Sequence, residues 1–263
     1  MTANSVLIAQ LTDTHLFADA EGVMMGVKTA ESLNTVVAEL ARLPRTPDLL
    51  LLTGDLTQDE TATSYERLRH VIEPLGILTA MIPGNHDVPA VMISSLQGGC
   101  FTAARSLQIG GWQVVLLDSV VAGQTAGALA ASELRFLADQ LASFPNTPTL
   151  VALHHPPCLI GSPWMDEIGL QQAGALFEVL DRSPQVKLVI FGHIHQAFEG
   201  DRQGVRYLGT PSACMQFKPR SQDLTLDETL PGFRLIELFA DGMFHTEVKR
   251  VPHTAASLLQ SMI

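Results

Sequence analysis

The sequence predicts an α/β protein built on sheets with parallel strands, and three observations carry that expectation. Short apolar runs of strand length alternate with longer amphipathic stretches up to residue 87 and again up to residue 195, a βαβ rhythm that calls for right-handed crossovers. The run ending at Leu52 is apolar almost without a break, as befits a strand covered on both faces. Five runs stop at Asp, Asn or His, at the carboxyl edge where α/β sheets present ligand-binding groups.

Val6 to Leu11 is the first strand by its aliphatic and β-branched composition, and it breaks at Thr12-Asp13-Thr14-His15. In extended chain Asp13 and His15 would point to one side and grip one ion. Thr29 is positioned to cap a helix, with Glu31 in its first turn and a stripe of Leu33, Val36, Val37, Leu40 and Leu43. Asp48 to Leu52 is the next strand, ending at Thr53-Gly54-Asp55. Thr63 and Glu66 have capping-box spacing, and Tyr65, Leu68, Val71 and Ile72 give the next helix its buried face. Ile77 to Ile82 returns as strand, and Pro83-Gly84 turns it into Asn85-His86-Asp87.

The pattern then repeats. Val114 to Leu117 is strand, Ser132 opens a helix through Leu134, Leu137 and Leu141, and Leu150 to Leu153 runs into His154-His155-Pro156-Pro157. A helix through Leu176, Phe177 and Leu180 precedes strand Val186 to Phe191, which ends at Gly192-His193-Ile194-His195, two histidines expected to share a side. From Val205 onward the chain reads as strand and loop: Val205 to Leu208, Phe233 to Phe239, and Met243 to Val248 after an Asp241-Gly242 hairpin signal. Between them Thr210 to Leu230 is polar and weakly patterned, a loop suited to border a pocket.

Composition narrows the function. With 263 residues, 46 % hydrophobic and 16 % charged, the chain can bury one large core. A formal charge of −11 argues against a nucleic-acid surface, which needs clustered bases to displace counterions. A small anionic substrate remains compatible, because screening lets a local cationic cluster outweigh distant acid. Cys100, Cys158 and Cys214 are scattered and form no CxxC, so neither a disulfide framework nor a thiolate zinc site is expected, and a reducing cytoplasm fits best. Met1 to Leu11 lacks the features of a signal peptide, and no segment approaches the roughly 20 apolar residues of a membrane span.

Six of the nine histidines fall in the five strand-end motifs. A single strand-end Asp usually makes a turn, and a single His usually packs, but core histidines have no reason to gather at successive strand ends. Asp13, His15, Asp55, Asn85, His154, His193 and His195 supply N and O ligands for hard-to-borderline divalent metals. Seven ligands exceed the needs of one ion; two ions about 3.5 to 4 Å apart, one carboxylate bridging, would use them, with a bridging water losing its proton to become the nucleophile.

This series, DxH, GD, GNH, H and GHxH from Asp13 to His195, resembles the calcineurin-like metallophosphoesterase family in order, residue type and strand-end context. The resemblance implies a sandwich of two central mixed β-sheets flanked by helices, α/β/β/α, in a single domain over 1–263. Residues 205–263 would complete the second sheet and supply the pocket-bordering loop. It implies Asp13, His15 and His195 on one ion, Asn85, His154 and His193 on the other, and Asp55 between them. His86, Asn85 and Asp55 would be the catalytic set, with the substrate phosphate against His15, Asn85, His86 and His195, and His86 touching phosphate or protonating the leaving oxygen.

Within the family, Leu11 to Phe17, Leu153 to Pro156, Gly192 to Gln196 and Pro211-Ser212-Ala213-Cys214-Met215-Gln216-Phe217-Lys218-Pro219 resemble the bacterial class III phosphodiesterases that open 3',5'-cyclic AMP to 5'-AMP. The implied cofactors are two divalent ions, Fe²⁺ or Mn²⁺ foremost and Zn²⁺ or Co²⁺ as alternatives. The implied partner is a small cyclic nucleotide, with a homodimer possible by the same resemblance. A broad phosphodiesterase or phosphomonoesterase is the alternative, and a non-catalytic scaffold, which would tend to lose ligands, a third.

One departure stands out. Family phosphatases often carry GDxxD, whose second Asp orients the motif histidine, whereas this sequence reads Gly54-Asp55-Leu56-Thr57-Gln58-Asp59. Asp59 falls one position late, which leaves Asp59 and Asp87 both open as the residue that orients His86. His155 is open as ligand or hydrogen-bonding neighbour, and Asp87 as turn-former or catalyst. His70, His245 and His253 read as surface or packing residues. Lys218 and Arg220 read as solvated cations before phosphate ligands, and Phe217 and Trp164 as local packing before base-stacking.

Overall fold

The computed structural model describes residues 5–252. Two six-stranded sheets stack face to face. The first has the order Phe244–Arg250, Gly232–Phe239, Ser5–Leu11, Leu49–Thr53, Thr79–Ile82, Phe101–Thr102; the second Phe198–Arg202, Val205–Gly209, Val186–Phe191, Thr149–Ala152, Trp112–Leu116, Ser106–Ile109. The first sheet is antiparallel at one edge and parallel through to the other, and the second has a parallel centre with an antiparallel pair at each edge.

The strand alternation explains the layers. Leu49 and Leu51 face inward between the sheets with Ile8, Val114, Leu150 and Ile190, while Leu50 and Leu52 face outward. The outward face of the first sheet is covered by Leu33, Val36 and Leu40 of helix Thr29–Ala41 and by Tyr65, Leu68 and Ile72 of helix Ala62–Ile72. Helices Ala131–Ser143 and Gly174–Asp181 cover the second sheet through Leu137, Leu141, Leu176 and Leu180. Each such fully buried Leu contributes roughly 1.5 to 3 kcal/mol. The α/β/β/α sandwich expected from the resemblance is therefore present.

Polar ties cross the sheets beneath the site. Gln10, fully buried, donates from Nε2 to Thr53 Oγ1 at 2.9 Å and to the Phe191 carbonyl at 3.1 Å. Arg234 on the first sheet, also fully buried, donates to the Gly209 carbonyl of the second at 3.0 Å.

Several expectations need correction. Residues 205–263 were expected to complete the second sheet, and among the described residues of that stretch only Val205–Gly209 does so; Gly232–Phe239 and Phe244–Arg250 join the first, where Gly232–Phe239 pairs antiparallel with Ser5–Leu11. The inward side chains Ile236 and Leu238 fill the space between the sheets from the first sheet's side. Thr29 is the first helical residue and Lys28 the cap position, so Thr29 Oγ1 caps nothing. The cap of the next helix is Thr61, whose hydroxyl accepts from the Ser64 N–H at 3.2 Å, two residues before the expected box. Helix Pro89–Leu96 and edge strands Phe101–Thr102, Ser106–Ile109 and Phe198–Arg202 had no clear sequence signal; the last, FEGDR, is an edge with no apolar run.

Candidate metal centre

The loops after the central strands of both sheets meet at one rim. The 13–16 loop zips onto 54–56, with Asp13 N–H donating to the Gly54 carbonyl and His15 N–H to the Asp55 carbonyl, each at 3.0 Å. That register forces left-handed backbone: φ is 54° at Asp13, 47° at His15 and 51° at Asp55, and it is 67° at His193 and 48° at His195. Five of the ten non-glycine residues with positive φ among those described are thus these site residues. At roughly 1 to 2 kcal/mol each, this strain is concentrated where side chains must converge.

Convergence results from it. Asp13, His15 and His195 bring ligand atoms together, as do Asp13, Asp55 and His154, and His15, Asp55 and His86. Asp55 reaches both ways, Oδ2 lying 3.8 Å from His15 Nε2 and Oδ1 3.4 Å from His154 Nε2. Asn85 Oδ1 is 3.3 Å from His154 Nε2, and His195 Nε2 is 3.3 Å from Asp13 Oδ1. The loop carrying Asn85 is locked by the His86 N–H, which donates to Asp55 Oδ1 at 2.8 Å. All seven expected ligands therefore line one site, with His86 half-buried beside them.

The route differs from the expected extended chain. His193 and His195 do not share a side: left-handed φ at both separates them, sending His193 to His154, ring centroids 5.1 Å apart, and His195 to His15 at 5.0 Å. His155 is buried with both ring nitrogens engaged, Nδ1 with Ser119 Oγ at 2.8 Å and Nε2 with the Thr125 carbonyl at 3.1 Å. Although its ring lies within reach of His154 and His193, it has no free lone pair to offer as a ligand. Asp87 holds the turn, its carboxylate accepting from the N–H groups of Leu56, Thr57 and Gly84 and from Tyr65 Oη.

The electrostatics fit cations. Burial would raise the Asp55 carboxyl, but His154 beside it holds it well below its ordinary value. Burial would lower His154, and the Asp55 carboxylate instead pushes it up to about 9. Asp13 is held down against burial by His195. Burial lowers His15 to about 4, and burial aided by His155 and His154 holds His193 well below the ordinary histidine value.

Two observations test whether these residues suit metal ions. His193 Nε2 is buried with no hydrogen-bond partner. His15 Nε2 and His195 Nε2 face each other at 3.1 Å, while their Nδ1 atoms contact Gln58 Oε1 at 2.8 Å and the Met215 carbonyl at 3.0 Å. Those oxygens need Nδ1–H donors, so in neutral rings two lone pairs confront one another. A cation between them resolves the conflict, and the anchored Nδ1–H is the arrangement that orients metal-bound histidine. The residues fit.

The model of the calcineurin-like phosphoesterase family matches residues 6–197. The chain belongs to that family. This phosphoesterase is 46% identical over 95% of its length to a Nostoc sp. (strain PCC 7120) protein named 3',5'-cyclic-nucleotide phosphodiesterase, covering 94% of that protein. It is 42% identical, over 95% of the chain and 91% of the relative, to the Escherichia coli (strain K12) 3',5'-cyclic adenosine monophosphate phosphodiesterase CpdA. A solved dimetal phosphatase from Danio rerio shares the fold with a TM-score of 0.67 at 13% identity, covering 95% of this chain and 99% of that one.

Two features of the phosphoesterase lie outside the metal-ligand motifs: Gln58 and the buried course of 211–217. Gln58 stands where GDxxD has its second Asp, and its amide touches both His15 and His86. Asp59, one residue on, instead accepts from the Ala18 N–H and from Thr61. Pro211 to Phe217 is buried, and the exposed loop begins only at Lys218. Ser212 Oγ donates to the Asp13 carbonyl at 2.7 Å, and Phe217 stacks on His195 at 4.3 Å while Trp164 packs edge-on against it. Both aromatic rings are thus spent on packing; Lys218 and Arg220 are exposed. His70 and His245 are exposed, and His253 lies outside the described residues. No helix among the described residues is long and apolar enough to cross a membrane.

Proposed function

We propose that this phosphoesterase hydrolyses 3',5'-cyclic nucleotides, cyclic AMP foremost, at a centre of two divalent ions. Asp13, His15 and His195 would hold one ion, Asn85, His154 and His193 the other, and Asp55 would serve both. The observation that carries the reading is the Asp55 carboxylate, which offers one oxygen to the His15 side and the other to the His154 side. The substrate class comes from the names of relatives that align over almost the whole chain.

When bound, the ions would activate a water as nucleophile and neutralise charge gathering at phosphorus. The chain's residues do the rest. The buried carboxylates and imidazoles keep the ligand atoms converged, and the His86 N–H bond to Asp55 fixes where the 84–87 turn presents its side chains. His86 and Asn85 are half-buried at the mouth of the site, where Asn85 Nδ2 can donate to a phosphoryl oxygen and His86 Nε2 can reach the departing ribose 3'-oxygen. The ligand set is of N and O donors alone, which favours Fe²⁺, Mn²⁺, Zn²⁺ or Co²⁺ according to supply.

Product analysis on cyclic AMP, cyclic GMP, bis(p-nitrophenyl) phosphate and the corresponding monoester, with each metal in turn, tests the reading. Conversion of cyclic AMP to 5'-AMP in preference to the others is expected. A protein that cleaves the simple esters and leaves cyclic AMP intact would sink the substrate assignment.

A further inference from the structure

Gln58 is half-buried and spans two histidines with the two ends of one amide: Oε1 lies 2.8 Å from His15 Nδ1 and Nε2 lies 3.2 Å from His86 Nδ1. We infer that Gln58 is a positioning residue that fixes the tautomer of His86, leaving His86 Nε2 as a hydrogen-bond donor toward the phosphoryl group. This rests on the reading of His15 as a metal ligand.

A count of donors fixes each proton. His15 Nε2 faces the site, 3.1 Å from His195 Nε2 and 3.8 Å from Asp55 Oδ2. A ligating nitrogen needs its lone pair, so the ring's proton is on Nδ1 and must be given to an acceptor. Between the two ends of the Gln58 amide only the oxygen accepts. The NH₂ end is then committed to His86, whose Nδ1 must accept, and the remaining proton of the neutral ring sits on Nε2. A constraint set at a metal ligand is thereby passed through one side chain to the residue beside the substrate.

A carboxylate at position 58 would act oppositely. With acceptors only, it would draw Nδ1–H from both rings and leave a neutral His86 with a lone pair at Nε2, turned toward phosphate oxygens that also carry only lone pairs. The amide removes that repulsion without calling for a second proton on the ring. The two carboxylates open for the role are engaged elsewhere: Asp59 is occupied with Ala18 and Thr61, and Asp87 with the backbone of the turn and Tyr65.

The test reads the proton directly. Protein labelled with ¹⁵N-histidine and loaded with Zn²⁺ is examined by long-range ¹H–¹⁵N correlation, His86 being assigned by its loss in His86→Asn. The expected result is an Nε2–H tautomer in the parent protein and a proton on Nδ1 in Gln58→Glu, with zinc content unchanged in both. A parent His86 protonated on Nδ1 would overturn the inference, and so would an Nε2–H tautomer retained in Gln58→Glu. Kinetically, Gln58→Ala should lower kcat by about 10- to 100-fold and add nothing to the loss already caused by His86→Ala; additive losses would also count against it. Because the tautomer is read without substrate, a protein inert toward cyclic AMP would defeat the proposed function and leave this result standing.

Discussion

At the Asp13 end of the site, His15 and His195 lean on Gln58 Oε1 and the Met215 carbonyl, and Asp13 is braced by Ser212, all residues of loops outside the histidine motifs. At the His154 end, Nδ1 of the ring contacts the Thr53 carbonyl at 2.8 Å, one residue from the Gly54-Asp55 motif. There the backbone presses close: a Cβ at Gly54 or Gly84 would overlap the His154 ring or the Asp55 carboxylate. The Asp13 end leans on one exchangeable side chain, Gln58, beside the Met215 carbonyl, whereas the His154 end leans on the Thr53 carbonyl and on close backbone that excludes a side chain at 54 and 84. Gln58 and 211–217, which lie outside the histidine motifs, are both found at the Asp13 end.

The largest effect should come from the residue common to both ends. Asp55→Ala removes the oxygen offered to each side, several kcal/mol of stabilisation, so turnover should fall by about 1000-fold or more. Metal analysis should find fewer than two ions per chain. Two retained ions and an ordinary rate would show that the ends do not depend on Asp55, and the comparison would lose its hinge.

Gly54→Ala attacks the backbone-built end. With φ at +95° and the His154 ring against the new methyl, it should cost about 1 to 3 kcal/mol of stability, read as a shift in the urea midpoint. The ion on the His154 side should be the one lost. A variant that keeps both ions and its midpoint would mean the close approach at Gly54 is not what holds that end.

Gln216→Ala probes the other end more gently. Gln216 Nε2 donates to the Ser212 and Met215 carbonyls at 2.8 and 3.0 Å, and its Oε1 accepts from Arg250 at 2.8 Å. Without it the Met215 carbonyl that anchors His195 is freer, and affinity for one ion should drop by about 10- to 100-fold while saturating metal restores full occupancy. Equal weakening of both ions in a metal titration would erase the distinction between the ends.

How far this could be read in advance depends on the same division. Asp13, Asp55, Asn85 and His154 announce themselves because each ends an apolar run, and residue type at a strand end is a local signal. Met215 and Thr53 act through carbonyl oxygens, which no residue letter encodes. Gln58 carried one clue, its place in the GDxxD spacing, which an eye set on carboxylates passes over. The parting of His193 from His195 depends on left-handed φ, and nothing in Gly192-His193-Ile194-His195 specifies it. Likewise Ile236 and Leu238 alternate as they would in either sheet; pairing with Ser5–Leu11 is decided by the sandwich, not by the strand.

The smallest effect is a proton count, and it too separates the ends. In the metal-free protein burial would lower His154, yet the Asp55 carboxylate raises it to about 9. A raised folded-state value means that the His154–Asp55 pair stabilises the apo protein fully below the ordinary histidine range and that this contribution fades as pH climbs through about 9. An ion taking His154 must expel that proton, so its affinity should rise by about ten-fold per pH unit and level off near the same pH. His15, lowered to about 4 by burial, is already neutral, so it releases none near pH 7.5. Calorimetry at pH 7.5 in buffers of different ionisation enthalpy should find about one proton released with the ion at the His154 end, abolished in His154→Gln. Release that persists in that variant would place the proton elsewhere and remove the electrostatic side of the contrast.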